Sequence, residues 1–462
     1  MRTCSILHHA GLPFLLSGKV EVGASLSNIV SFCSFVLRRP QRALSIRELQ
    51  LAGFNDLANM ANVDADSDTA AMALATVLRL CRNLTHLRLP WWRDIGLAVE
   101  VPGAVVSLRN LESLDFGDLW DDASPLLLHL RSPVQHVCLR FRHKYVGEPP
   151  QRAFPDCNPI YLLQQIRDTL KTLEVHLVTD LVPVPEIKFL HVTRIYFLAR
   201  SFHFDSDLFA ASFPNLRHLQ WVSMFDLDWE LAEERRFLNL LWREPETHAR
   251  AWTTLDVLIC DASTVYSMAL TCRVQLWHNT HEIQRAEQLR HFQAVLADLR
   301  PSHICADFRV TSQIALPQLG DVFLATDVIT HIALRYTLTQ GCEVNAAHFL
   351  YIIAQNLQQL PLTFIRLSLA YGGSGPSASS ENAQDPVFRS LQSVDAGMYA
   401  SLLLHLCPKL DYIALDFGDF VSWRVIRSSE GDSEDAYLTP VDWEELISSS
   451  PMIRMLLLGQ YI

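Results

Sequence analysis

Four histidines recur at one position of a repeated pattern: His86, His136, His218 and His331. Neutral imidazole binds zinc and shuttles protons near neutral pH, so a metal centre is the first chemistry to test. Each histidine falls within an apolar strand pattern, and paired strands lie about 4.8 Å apart. The strand carrying Ser113 separates His86 from His136, which puts those two about 10 Å apart. A zinc ion holds its ligands at about 2 Å. The four histidines are therefore not expected to share an ion. His278-x-x-His281-Glu282 places its acid after the second histidine, unlike H-E-x-x-H, and reads as a helix start. No metal and no cofactor is expected.

Nucleophile and phosphate motifs are missing as well. Gly372-Gly373-Ser374-Gly375 has neither the G-x-S-x-G spacing of a nucleophile elbow nor the Gly-Lys-Ser/Thr ending of a phosphate loop. Acids gather after strand patterns: Asp94, then Asp118, Asp121 and Asp122, then Asp226, Asp228 and Glu230, then Asp416 and Asp419. Carboxylates about 5–10 Å apart could serve a hydrolase. A hydrolase-like site at this strand-exit edge is thus the alternative to a binding function, and a solvated acidic edge is the plainer reading. Trp91, Trp92 and Trp120 stand beside these acids. Exposed aromatics with an acidic rim would suit a basic, apolar protein partner.

These residues sit in a chain of 462 residues that is 49% hydrophobic and 19% charged. That is the profile of a folded protein. The net charge of -12 argues against general binding to nucleic acid. Charge-free runs are too short or too interrupted to span a bilayer. Leu12 to Leu16 does not read as a signal peptide. Ten cysteines are scattered with no C-x-x-C pair, as expected of free thiols in a reducing compartment. Cytoplasm or nucleus follows.

The elements that must position the side chains are repeats. Asn83-Leu84-Thr85-His86-Leu87-Arg88-Leu89 and Asn110-Leu111-Glu112-Ser113-Leu114-Asp115-Phe116 share the form N-L-x-x-L-x-Φ, with Φ apolar. The step from Leu84 to Leu111 falls inside the range of leucine-rich repeats. Similar strand cores are read at 134–139, 170–175, 192–197, 216–221, 255–260, 329–334, 362–367 and 410–415, more weakly at 46–51 and 304–310, and last near 452–457. Helical patterns at 24–37, 69–80, 160–169, 280–299, 345–360 and 387–406 separate many of them. A helix between successive strands predicts parallel pairing. The expected fold is α/β: an irregular leucine-rich-repeat solenoid, a horseshoe with a parallel β-sheet on the concave face and helices on the convex face. Residues 1–43 are read as an N-terminal capping helical segment and 44–462 as the solenoid domain.

The repeats at 81–89, 213–219 (Phe-Pro-Asn-Leu-Arg-His-Leu) and 407–413 (Cys-Pro-Lys-Leu-Asp-Tyr-Ile) resemble those of fungal F-box/leucine-rich-repeat proteins over roughly residues 44–460. That resemblance implies a substrate-recognition adaptor. An F-box docks on a ubiquitin-ligase adaptor and typically opens with a leucine-proline pair and ends near a tryptophan. Here Leu12-Pro13 is followed by no tryptophan before Trp91, so the F-box is read as absent or truncated. Docking on a ubiquitin-ligase adaptor is thereby in question.

In L-x-x-L-x-L the x residues beside the last two leucines face away from the helices. The candidates for a protein-binding face are Arg88, His136, Arg194, Tyr196, His218, Phe364, Arg366 and Tyr412, with Trp91, Trp92 and Trp120 at its strand-exit edge. The expected function is a non-enzymatic protein-binding scaffold, with a structural protein without a specific ligand as an alternative beside the hydrolase-like site.

Overall fold

A computed structural model describes residues 5–23, 25–51, 64–89, 100–119, 127–141, 158–178, 184, 186–199, 204–223, 227–241, 252–311, 318–319, 321–323, 326–340, 342, 344–372, 385–418, 420–427, 436–448 and 453–454. The chain divides into two compact units. The first comprises Met1–His218, Ser223–Phe225 and Thr247–Trp252; the second comprises Leu219–Val222, Asp226–Glu246 and Thr253–Ile462. This division falls within the run of parallel strands.

In the first unit the strands are β1 (Lys19–Val22), β2 (Glu48–Leu51), β3 (His86–Leu89), β4 (Ser113–Leu119), β5 (His136–Phe141), β6 (Thr172–Val178) and β7 (Arg194–Ala199). Each pairs in parallel with the next. The residues of β8 (His218–Ser223) are divided between the two units. Helices Leu26–Leu37, Asp64–Leu80, Glu100–Ser107 and Ser206–Ser212 alternate with the strands. The N-terminal segment thus supplies a strand, β1, as well as the helices Ser5–Ser17 and Leu26–Leu37.

The asparagine of the repeat motif has a structural reason. Asn83 donates through its side-chain amide to the carbonyl of Leu44 at 2.7 Å, Asn110 to Arg82 at 2.8 Å, and Asn215 to Leu190 at 2.8 Å. Each bond reaches back to the turn before the previous strand, satisfying a carbonyl that the parallel ladder leaves over. The main chain repeats the device: the amides of Thr85 and His86 both donate to the Arg47 carbonyl, and those of Glu112 and Ser113 to the Thr85 carbonyl. The motif's apolar residues are buried, Leu84, Leu89, Leu111 and Phe116 completely, and Leu87 and Leu114 nearly so. Towards the end of the unit the core becomes aromatic. Phe209 lies 5.0 Å from Phe213 and 5.7 Å from Phe197, and Trp252 donates to the Phe213 carbonyl at 2.8 Å. Burying one such ring contributes roughly 1.5–3 kcal/mol.

The second unit continues with β9 (Thr254–Ile259), β10 (Arg273–His278), β11 (His303–Val310), β12 (His331–Thr339), β13 (Phe364–Gly372) and β14 (Tyr412–Asp416), each parallel to the next. Its helices are Trp229–Leu241, Ala262–Met268, Ala286–Leu299, Ala346–Leu357, Pro386–Gln392, Ala396–Leu406 and Trp443–Ser448. Helix and strand meet through aromatic contacts, Trp277 with Phe292 at 4.8 Å and Tyr336 with Phe349 at 5.1 Å. The α/β repeat architecture with a mostly parallel sheet is therefore as the sequence predicts.

Several details differ. The last strands, β15 (Phe420–Arg427) and β16 (Ala436–Pro440), pair antiparallel. The link from Asp416 to Phe420 turns through Gly418 at φ 114°. It is too short for the crossover that parallel pairing needs. Strands β1, β10, β15 and β16 are absent from the sequence expectations. The helix expected from residue 280 begins at Ala286, because Ile283 bridges to Phe308. The helix expected over 387–406 is two, the second capped by the Asp395 carboxylate accepting from the Met398 amide at 3.0 Å. Residues 160–169 hold only the short helix Pro159–Leu162 and a 3-10 turn. The strand expected near 452–457 lies largely outside the described residues.

Candidate functional site

Parallel pairing with no register shift along the first residues of each pair stacks equivalent repeat positions into rows. In the first unit one row runs Lys19, Glu48, His86, Ser113, His136, Thr172, Arg194, and the next runs Glu21, Gln50, Arg88, Asp115, Cys138, Glu174, Tyr196. Arg140 and His176 are partners in the row beyond. The motif leucines occupy the alternate positions, so these rows form the face turned away from the core. Among the candidates, Arg88, His136 and Arg194 are exposed there, and Tyr196 and His218 are half-buried. Trp91, Trp92 and Trp120 lie outside the described residues.

The face is held by ion pairs. Asp115 pairs with Arg88 at 2.9 Å and also with Arg140. The Glu174 carboxylate meets the Nε2 of His176 at 2.5 Å, and the His176 ring lies 5.1 Å from that of Tyr196. The His176 hydrogen bond holds the Glu174 carboxyl below its usual range, ahead of the opposing effect of burial. Burial, then the charges of Asp115 and Glu174, pushes the Cys138 thiol up. Burial also raises Tyr196 and lowers His136, the latter helped by Lys171 and His86. Sequence reasoning misses Arg140 and His176 because it follows the motif only to its last leucine. The strands run further, and the alternation Leu139, Phe141 around Arg140 is the available signal.

In the second unit the corresponding rows are richer in apolar residues, and part of them is covered. Its first row runs Val257, Leu276, His303, His331, Phe364, Tyr412, and its second Ile259, His278, Cys305, Ala333, Arg366, Ala414. Leu446 and Ile453 pack on Val257, Ile259, Leu276, Ala333, Phe364 and Ala414, with Val441, Ile447, Tyr412 and Cys305 around them. Phe364 is 1% exposed. It is therefore a core side chain and does not offer the open anchor that the sequence reading places there. Arg366 and Tyr412 are half-buried. Burial, the largest influence, lowers the Arg366 pKa.

Three histidines at the repeat position, His86, His303 and His331, share a local device. Thr85 binds the Nδ1 of His86 at 2.9 Å, Ser302 that of His303 at 2.8 Å, and Thr330 that of His331 at 2.9 Å. His303 and His331 lie on adjacent strands and stack at 4.2 Å.

The acids expected to form a strand-exit edge fall partly outside the described residues. Of those described, Asp228 accepts from the Glu230 amide at 3.2 Å, and Asp416 accepts across the strands from the Ser368 hydroxyl at 3.2 Å. In the second unit Ser263 and His291 line a cavity of about 530 Å³. Ser263 Oγ lies 3.2 Å from His291 Nδ1, and Glu233 is 3.9 Å from the other ring nitrogen. The second distance is beyond hydrogen-bond reach for a relay.

No protein-family model matches the chain, and no curated protein matches it. No helix among the described residues is long and apolar enough to cross a membrane.

Proposed function

We propose that this chain is a non-enzymatic protein-binding scaffold, used as a substrate-recognition adaptor of the kind that fungal F-box/leucine-rich-repeat proteins provide. The observation that carries the reading is the pair of aligned rows on the sheet face of the first unit. Arg88, His136 and Arg194 are exposed on strands whose backbone is held by the ladder, and Asp115 fixes Arg88 and Arg140. Side chains already ordered lose little entropy when a partner docks. Mixed charges with a tyrosine beside them suit recognition of a folded protein surface. The described cysteines are free, and burial pushes the Cys33 and Cys81 thiols up to about 12. Protonated, buried thiols fit a chain working in the cytoplasm or nucleus.

The test is affinity capture from the source cells with the wild type beside an R194A/Y196A variant. Loss of one specific protein from the variant, with an unchanged melting temperature, supports the reading. Capture of the same partner by both removes it.

A further inference from the structure

Cys138 on β5 and Glu174 and His176 on β6 bring three different ligand types together on the sheet face. Cys138 and Glu174 are register partners, and Glu174 and His176 lie two apart on one strand, so all three side chains leave the same side. The Cys138 sulfur, a Glu174 oxygen and a His176 ring nitrogen all lie within 4.8 Å of one another. All three residues are half-buried. We propose that these three residues bind a zinc-class divalent ion.

The chemistry of the donor set fits. Thiolate, carboxylate and imidazole are the ordinary zinc ligands, at about 2.0–2.3 Å. Tetrahedral geometry then needs the donor atoms about 3.5 Å apart. The Glu174–His176 contact, now 2.5 Å, must open by roughly 1 Å, and the other donor separations lie within 4.8 Å. Side-chain rotations on two paired strands supply such shifts without moving the backbone. Glu174 now bonds to both neighbours, since His176 and the Cys138 thiol each hydrogen-bond to it. An ion would take the place of the protons that those bonds use: the thiol loses its proton to solvent, and neutral imidazole offers Nε2. One thiolate and one carboxylate balance the charge of the ion. Arg140 opposes a cation, and Asp115, which it shares with Arg88, offsets only part of that charge. Three protein ligands leave a further position to water. The proposal assigns binding and no reaction.

His86 and His136 stand on strands that are not neighbours, with Ser113 between them. The ligating set instead mixes residue types and includes His176, outside the motif. Reasoning from the repeated histidines alone therefore passes over this site.

The experiment titrates cobalt(II) into tag-free, full-length protein and follows its absorption. A stoichiometric sulfur-to-cobalt charge-transfer band, displaced by zinc, is expected in the wild type. The band is lost in C138S and in H176N, both of which retain the wild-type circular dichroism. Absence of the band from folded wild type overturns the proposal. So does a band that persists in C138S or in H176N, since other cysteines would then supply the sulfur or the imidazole would be dispensable. Should C138S fail to fold, H176N alone decides by the same criterion.

Discussion

The side-chain amide of Asn110 donates to the main-chain carbonyl of Arg82 across 2.8 Å, tying one repeat to the turn that precedes the last. The bond is solvent-exposed, so its net contribution is about 1 kcal/mol and no more. N110A is expected to lower stability by that amount in urea unfolding, with an unchanged m-value. N110D, which keeps the shape and cannot donate, should cost at least as much. Stability equal to wild type in both would mean that the asparagine of the motif serves something other than this carbonyl.

His303 stacks on His331, and burial, the largest influence, holds its pKa down at about 4, with the His331 charge adding to the effect. Burial does the same to His278, also about 4. Unfolded histidine titrates near 6.5, so between pH 6.5 and 4 the unfolded chain binds more protons than the folded one. The stability these groups contribute is present above pH 6.5 and is lost as pH falls towards 4. At pH 5 roughly 2 kcal/mol per histidine has gone. Urea midpoints measured from pH 7 to pH 5 should fall, and H303Q should flatten that slope. An H303Q profile parallel to wild type would show that this ring is as hydrated in the fold as in the unfolded chain.

The architecture is legible because the core positions carry it. Leu84, Leu87 and Leu89 repeat as Leu111, Leu114 and Phe116, and a strand period between helices has one economical solution, the parallel sheet. The face rows follow from the same register, with His86, Ser113, His136, Thr172 and Arg194 aligned as the motif implies. The pattern does not show what lies over the face. Val257, Ile259 and Ala333 stand at face positions with apolar side chains, which water does not favour. They are the signal that something covers the second unit there. The covering residues, Leu446 and Ile453, are too far away in sequence for periodicity to connect them. Short connections escape for a different reason. Gly418 permits a turn that a repeat template does not contain, and β15 and β16 follow from it.

Leu446 is fully buried against that apolar face. L446A should cost about 2–5 kcal/mol, the range for a leucine removed from a packed core. Cys305 is packed against the same cluster, so its thiol should react faster with a labelling reagent in the variant than in wild type. An unchanged melt together with unchanged labelling would place the helix Trp443–Ser448 off the face.

Residues 1–43 shield one edge of the sheet through β1. Strand β1 pairs with β2 from Lys19 opposite Glu48 to Val22 opposite Leu51, covering one side of β2. The helix Leu26–Leu37 buries Ile29, Cys33 and Val36, and the neighbouring Ile46 and Leu49 are fully buried. Removing the segment exposes a row of unpaired strand groups beside an apolar core. Such edges recruit other chains, and terminal units of repeat proteins need a cap. A 44–462 fragment is therefore expected to self-associate on size-exclusion light scattering. It should also melt lower than the full chain, by roughly 2–4 °C if the loss is about 2 kcal/mol. If the fragment is monomeric with the melting temperature of the full chain, residues 1–43 do not serve as the cap of the repeats.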